Sequence, residues 1–259
     1  MKLMKKVFNV LNLHFRSCYT NPKNVRNKEA PDKIEKDIKQ YYFPHLSNEK
    51  IEKITNIVGL NIGSNYIGFA KVNTVNKKIM NMGTVLLPEN KHKLKITDLY
   101  LLAFSTLQLC PEGDHYILDE FKKSGKVDNT QFLVQSTRLQ FIAMLMTLFN
   151  SNRRSENEHC TTIFLKPHLS GRLFNLLIGN EIVSSKKIVN EIFSGTFPSK
   201  FTTFETCHEA ILNYKKGNSI EKDFMGDALL TALTFAELII YKNKKCYDSL
   251  YRVSKKSEK

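Results

Sequence analysis

Four acidic residues and one asparagine lie where separate segments of this chain can bring them together. Asp119 and Glu120 follow the short apolar run 116–118, Asp223 and Asp227 lie four apart near the start of a helical pattern, and Asn61 lies within the segment 57–70, IVGLNIGSNYIGFA. Residues four apart on a helix share a face, so Asp223 and Asp227 point the same way. Carboxylates gathered from several elements are what hard divalent cations need when they orient water and a leaving group. Asn61 keeps an acceptor oxygen but brings no charge. Basic clusters surround these positions: Lys122, Lys123 and Lys126, then Arg153 and Arg154, then Lys166 with Arg172, and last Lys186 with Lys187. They flank strand ends and helix starts, where the loops of α/β proteins carry function, and together they favour contact with the phosphates of DNA, RNA or a hybrid without sequence readout.

These residues need a scaffold, and the chain supplies one main core. It has 259 residues, 42% of them hydrophobic, with a formal charge of +14. Such an excess of Lys and Arg gives a positive field that attracts an anionic partner. The first acidic residue is Glu29, preceded by seven basic residues among apolar ones. Residues 1–30 thus have the composition of a mitochondrial transit peptide and arm, and their removal leaves a charge of about +8. The expected location is the mitochondrial matrix, at the nucleoid. Five scattered cysteines form no C-x-x-C pair, so neither a disulfide framework nor a zinc knuckle is expected. No apolar run reaches the roughly 18 residues a membrane span requires, so no membrane insertion is expected.

Along the chain, residues 31–56 read as a short helical segment with a Ser47 cap. The period then changes to that of strands at 57–62, 66–72 and 79–87, an antiparallel meander. Thr97 caps a helix running to Leu109, 116–118 is a buried strand, and Thr137 with Gln140 forms a capping box before a buried helix over 139–149. A strand at 162–165, helices at 170–178 and 185–193 ended by Gly179 and Gly195, and a final helix over 223–241 follow. The alternation after the meander implies parallel strands joined by right-handed crossovers. Residues 57–243 form the domain, and 244–259 read as a solvated basic tail.

Segment 57–70 resembles the first-strand motif of RuvC-like resolvases, which implies an α/β, RNase H-like mixed sheet: three antiparallel strands, then alternating helices and parallel strands. In that branch the carboxylates come from the first strand, the fourth strand and the last helix, positions that fall on Asn61, Glu120 and Asp227. More widely, residues 38–243 resemble the mitochondrial transcription elongation factors, whose C-terminal domain is a resolvase-like pseudonuclease. The resemblance rests on 141–150 (FIAMLMTLFN), 170–180 (SGRLFNLLIGN), 185–193 (SKKIVNEIF) and 227–238 (DALLTALTFAEL). It implies a vestigial site at Asn61, Glu120 and Asp227 with no catalytic residue, metal or cofactor. It also implies a homodimer, and mitochondrial RNA polymerase as partner. The tandem helix-hairpin-helix module of such factors has no room within 31–56. The other reading of the same acids is a working Mg²⁺-dependent mitochondrial resolvase or nuclease.

Overall fold

Alternation within each strand decides which side chain meets which layer of this fold. The computed structural model describes residues 38–89, 94–120, 129–151, 162–178 and 181–256. The leader 1–30, the Lys122, Lys123 and Lys126 cluster, Arg153, Arg154 and Gly179 lie outside them. In chain order the elements are β1 (Tyr42–Phe43), α1 (Asn48–Glu52), β2 (Asn56–Ile62), β3 (Tyr66–Asn73), β4 (Lys78–Leu86), α2 (Ile96–Leu109), β5 (His115–Asp119) and α3 (Asn129–Ser151). Then come β6 (Thr162–Leu165), α4 (Leu169–Leu173), β7 (Leu177–Ile178), β8 (Glu181–Ile182), α5 (Lys186–Phe193), β9 (Glu205–Thr206), α6 (His208–Lys216) and α7 (Ser219–Phe235). A π-helical turn at Ala236–Ile240 and α8 (Lys244–Lys256) end the described chain.

Seven strands make one mixed sheet in the order β1-β6-β5-β2-β3-β4-β9, and β7 and β8 form a separate hairpin. β2, β3 and β4 are the antiparallel meander, while β5 runs parallel to β2 and β6 parallel to β5. This strand order and these directions make an RNase H-like α/β fold. Odd-numbered β2 residues and their neighbours, Ile57 with Ala70, Ile117 and Ile163, pack in one core with the buried face of α7. Even-numbered ones, Val58, Leu60 and Ile62 with Tyr116 and Leu118, pack in a second core with α2 and α3. β2 and β5 are covered on both sides and accordingly read as nearly unbroken apolar runs.

α7 lies unusually close to the sheet. A Cβ on Gly59 would overlap the carbonyl oxygen of Ala228, and one on Gly68 that of Phe224. The absence of two side chains therefore lets the α7 backbone rest on β2 and β3. The helix begins earlier than its apolar period suggests, because Asn218 and Glu221 form a capping box: Asn218 Oδ1 accepts from the Glu221 N–H at 2.9 Å, and Glu221 Oε2 accepts from the Asn218 N–H at 2.8 Å.

Several expected boundaries move, each for a local reason. Ser47 does cap α1, its hydroxyl accepting from the Lys50 N–H at 3.4 Å. Thr97 lies inside α2, and Lys95 takes the cap position without a side-chain bond. Thr137 lies inside α3, which starts at Asn129. The helix expected over 170–178 stops at Leu173, since Asn175 takes a left-handed conformation and Leu177 enters the β7–β8 hairpin. The tail is not simply solvated: Cys246 and Leu250, one helical turn apart on α8, are buried in the core. Glu237 anchors that return. Its buried carboxylate accepts from the backbone N–H of Thr202 and from Asn243 Nδ2 at 2.7 Å. No single helix among the described residues is long and apolar enough to cross a membrane.

Replacing Gly59 by Ala should cost about 3 kcal/mol in urea unfolding, as inserted atoms that force backbone apart do. Gly195→Ala, at φ 69° with nothing near its Cβ, should cost about 1 kcal/mol. Equal losses at the two positions would show that α7 is not seated on β2.

Candidate active site

The C-terminal ends of β2 and β5 and the third turn of α7 converge at one place. Leu60 pairs with Leu118, so the next residues along these parallel strands, Asn61 and Asp119, are neighbours. Both have the parity that faces α7. There Asn61 Nδ2 donates to Asp227 Oδ2 at 3.1 Å. Asp119 Oδ1 accepts from the Ser170 hydroxyl of α4 at 3.3 Å. Ligand-binding residues in open α/β sheets characteristically sit at these strand ends.

The two acids are partly buried, and the charge of Asp227 acts on Asp119. Burial, with the charge of Asp227 nearby, pushes Asp119 up to about 7 against the pull of the Ser170 hydroxyl. Burial, with the charge of Asp223, pushes Asp227 up to about 6 against the pull of Ser185. Among the described residues no salt bridge reaches either carboxyl. The Tyr214 hydroxyl of α6 is buried without a hydrogen-bond partner, and burial and the charges of Asp223 and Asp227 push it up to about 12.

The expected strand-end acid was Glu120, and the geometry corrects it to Asp119. Side chains alternate along a strand, so 119 shares the face of Asn61 while 120 has the parity of Leu118 and the opposite core. Glu120 follows the strand, its N–H donating to the Leu165 carbonyl at 2.7 Å, and its charge acts on Lys166. The signal was in the sequence: 57, 59 and 61 on one strand match 115, 117 and 119 on the other. Asp223 lies one turn before Asp227, held by Lys186 Nζ at 2.9 Å and the Ser184 hydroxyl at 2.6 Å.

Of the basic residues named from sequence, four are described. Lys166 is half-buried after β6, where burial and the charge of Arg172, exposed on α4, lower its proton affinity against the pull of Glu120. Lys186 is turned onto Asp223, and Lys187 is exposed, 4.0 Å from Glu191. One residue escaped the sequence reading. Arg138, the lone charged side chain of α3, donates through Nη2 to the Ile62 carbonyl at the end of β2, and burial lowers its proton affinity. A single arginine within an otherwise uncharged helix was the available clue.

Whether the donors fit a hard divalent ion can be judged from their chemistry. Asp119, Asp227 and the Oδ1 of Asn61 are three oxygen donors, two of them partly buried acids with no ion pair to a cation among the described residues. Such a pair is what an incoming cation relieves. The described residues hold no group of three His, Cys, Asp or Glu, so Asn61 is needed to complete a set of three. The residues fit one such ion.

No family model and no curated protein matches the chain. Solved structures do. The yeast mitochondrial Holliday junction resolvase is 14% identical, covering 79% of this chain and 85% of that one at a TM-score of 0.49. RuvC of T. thermophilus, in complex with a Holliday junction substrate, is 13% identical over 72% and 97% at a TM-score of 0.41. The human cytomegalovirus terminase nuclease domain is 10% identical over 76% and 89% at a TM-score of 0.34. None of the three is an elongation factor. The expectation of a non-catalytic domain, drawn from Asn61, is corrected at the site itself: the carboxylates of Asp119 and Asp227 are both in place beside Asn61. The fold itself is the RNase H-like α/β sheet that the strand order and directions show.

Proposed function

We propose that this chain is a divalent-metal-dependent nuclease that hydrolyses phosphodiester bonds in branched DNA in the mitochondrial matrix. The observation that carries the reading is the partly buried Asp119–Asp227 pair, set against Asn61 where two parallel strands end, with no salt bridge to either acid among the described residues. A bound Mg²⁺ or Mn²⁺ would polarise the phosphate and lower the pKa of a coordinated water. Asp119 and Asp227 would hold it, and Asn61 would add a neutral oxygen once its amide releases Asp227. Ser170 orients Asp119, and Lys166 and Arg172 lie beside Glu120 just past the end of β5, where they could meet a phosphate backbone. The basic excess of the chain and its acid-free leader support the nucleic-acid substrate and the location.

With Mg²⁺ or Mn²⁺ the protein should cleave a labelled four-way junction, and Asp119→Asn or Asp227→Asn should each reduce the rate by about 100-fold or more. Failure to cleave junction, duplex and RNA–DNA hybrid with either metal sinks the reading. Asn61→Asp, which gives the ion a third charge, should raise cleavage on the order of tenfold, equivalent to about 1.4 kcal/mol at the transition state.

The same acids set a pH dependence of stability. Asp119 is raised from 3.8 to about 7 on folding, so its contribution is fully present below about pH 3.8 and lost as pH rises through about 7. The melting temperature of Asp119→Asn should therefore exceed that of the metal-free wild type by a gap that opens from about pH 4 and is widest above pH 7. Adding Mg²⁺ at pH 8 should raise the wild type and leave the variant nearly still. A gap independent of pH would contradict the buried-acid geometry.

A further inference from the structure

Asp223 differs from the other two acids in already having a cation. Its Oδ1 accepts from the Ser184 hydroxyl at 2.6 Å, and its Oδ2 lies 2.9 Å from Lys186 Nζ. The same ammonium donates to Ser219 Oγ at 2.7 Å, and Ser184 Oγ in turn accepts from the Lys186 backbone N–H at 3.3 Å. Residues at the start of α5 are thereby tied to two positions in the first turns of α7. Lys186 is the first residue of α5, so its side chain leaves from a helix end and not from a free loop. The ion pair is about a third exposed, 30% at Lys186 and 38% at Asp223, a setting where a salt bridge adds little to stability. Its consequence is electrostatic and local. The charge of Asp223 still reaches Asp227, one helical turn on.

We propose that Lys186 is a positioning residue whose ammonium does for Asp223 what a second divalent ion would do, so that this site takes up one divalent ion and not two. The inference rests on the metal-dependent nuclease reading above. The ionised acids Asp119, Asp223 and Asp227 carry three negative charges, and Lys186 reduces them to two, which a single divalent ion closes. A second ion would enter a site already neutral and would have to displace an ammonium from two oxygen partners. Two of the three ammonium N–H groups face Asp223 and Ser219, which leaves one for a phosphate oxygen of the substrate.

The test is Mn²⁺ binding without nucleic acid, followed by isothermal titration and by loss of the free Mn²⁺ resonance in electron paramagnetic resonance. The wild-type full chain should take up one Mn²⁺, and Lys186→Arg should do the same. Lys186→Met and Lys186→Gln should take up two, and adding Asp223→Asn to Lys186→Met should return the count to one. Thermal melting of each variant separates a lost fold from a changed site, and the wild-type count tests the idea even if a variant does not fold. Two ions on the wild type, or one on both folded Lys186 neutral variants, would overturn the role of Lys186 and leave the nuclease reading standing. No Mn²⁺ on the wild type overturns both.

Discussion

The contact on which the rest of this structure depends is the seating of one apolar helix against two strands. Gly59 on β2 and Gly68 on β3 offer no Cβ to the α7 backbone, and the carbonyl oxygens of Ala228 and Phe224 occupy the space those atoms would take. Because helix and sheet meet at backbone distance, Asp227 reaches Asn61 directly, at 3.1 Å between side-chain atoms. A helix held off by even one layer of methyl groups would leave the two residues bridged by water and the acids solvated. The capping box at Asn218 then fixes where the helix begins, and hence which of its turns lies above the strand ends.

The same closeness creates a conflict within the core. Asp119 and Asp227 are buried by the packing that brings them together, and burial opposes ionisation of each. The fold without a metal is therefore most at ease when these acids carry protons, whereas binding a cation requires them charged. Folding energy is stored against the ligand, in the sense that a cation relieves a repulsion the protein has built. Asn61 moderates that conflict, since a third carboxylate there would add charge to a pair already pushed up. Asp223 is moderated in another way, through the ammonium of Lys186.

Much of the scaffold is legible in the sequence where the signal is local. The meander, β5, β6 and α5 follow from runs whose period is two or 3.6 and whose ends carry turn residues, and the chain folds them within a residue or two of those bounds. What is not legible is held by distant partners. β1 and β9 are two-residue strands that exist only because Leu165 and Lys78 present edges to them. α8 hides in a charge run because Cys246 and Leu250 turn inward on a helix that carries five bases. The choice between Asp119 and Glu120 was open to the sequence, since alternation from Ile57 to Asn61 and from His115 to Asp119 settles it once β2 and β5 are known to run in parallel. The sequence implies parallel strands after the meander, but not which residues of β2 and β5 stand opposite one another.

Parallel pairing also keeps the donor set together when one of its members is an asparagine. In a parallel pair the C-terminal ends of both strands lie at one edge, so residues 61 and 119 enter the same space from adjacent backbones, and α7 closes it from above. The number of oxygen donors is then fixed by this geometry, and the amide of Asn61 preserves that number while lowering the charge. What the substitution changes is the charge a cation meets, from three acids to two, with Asp223 already answered by Lys186. Two acids suit one divalent ion. The missing carboxylate at Asn61 and the added ammonium at Lys186 thus act in the same direction, each removing one negative charge from a site whose frame remains whole.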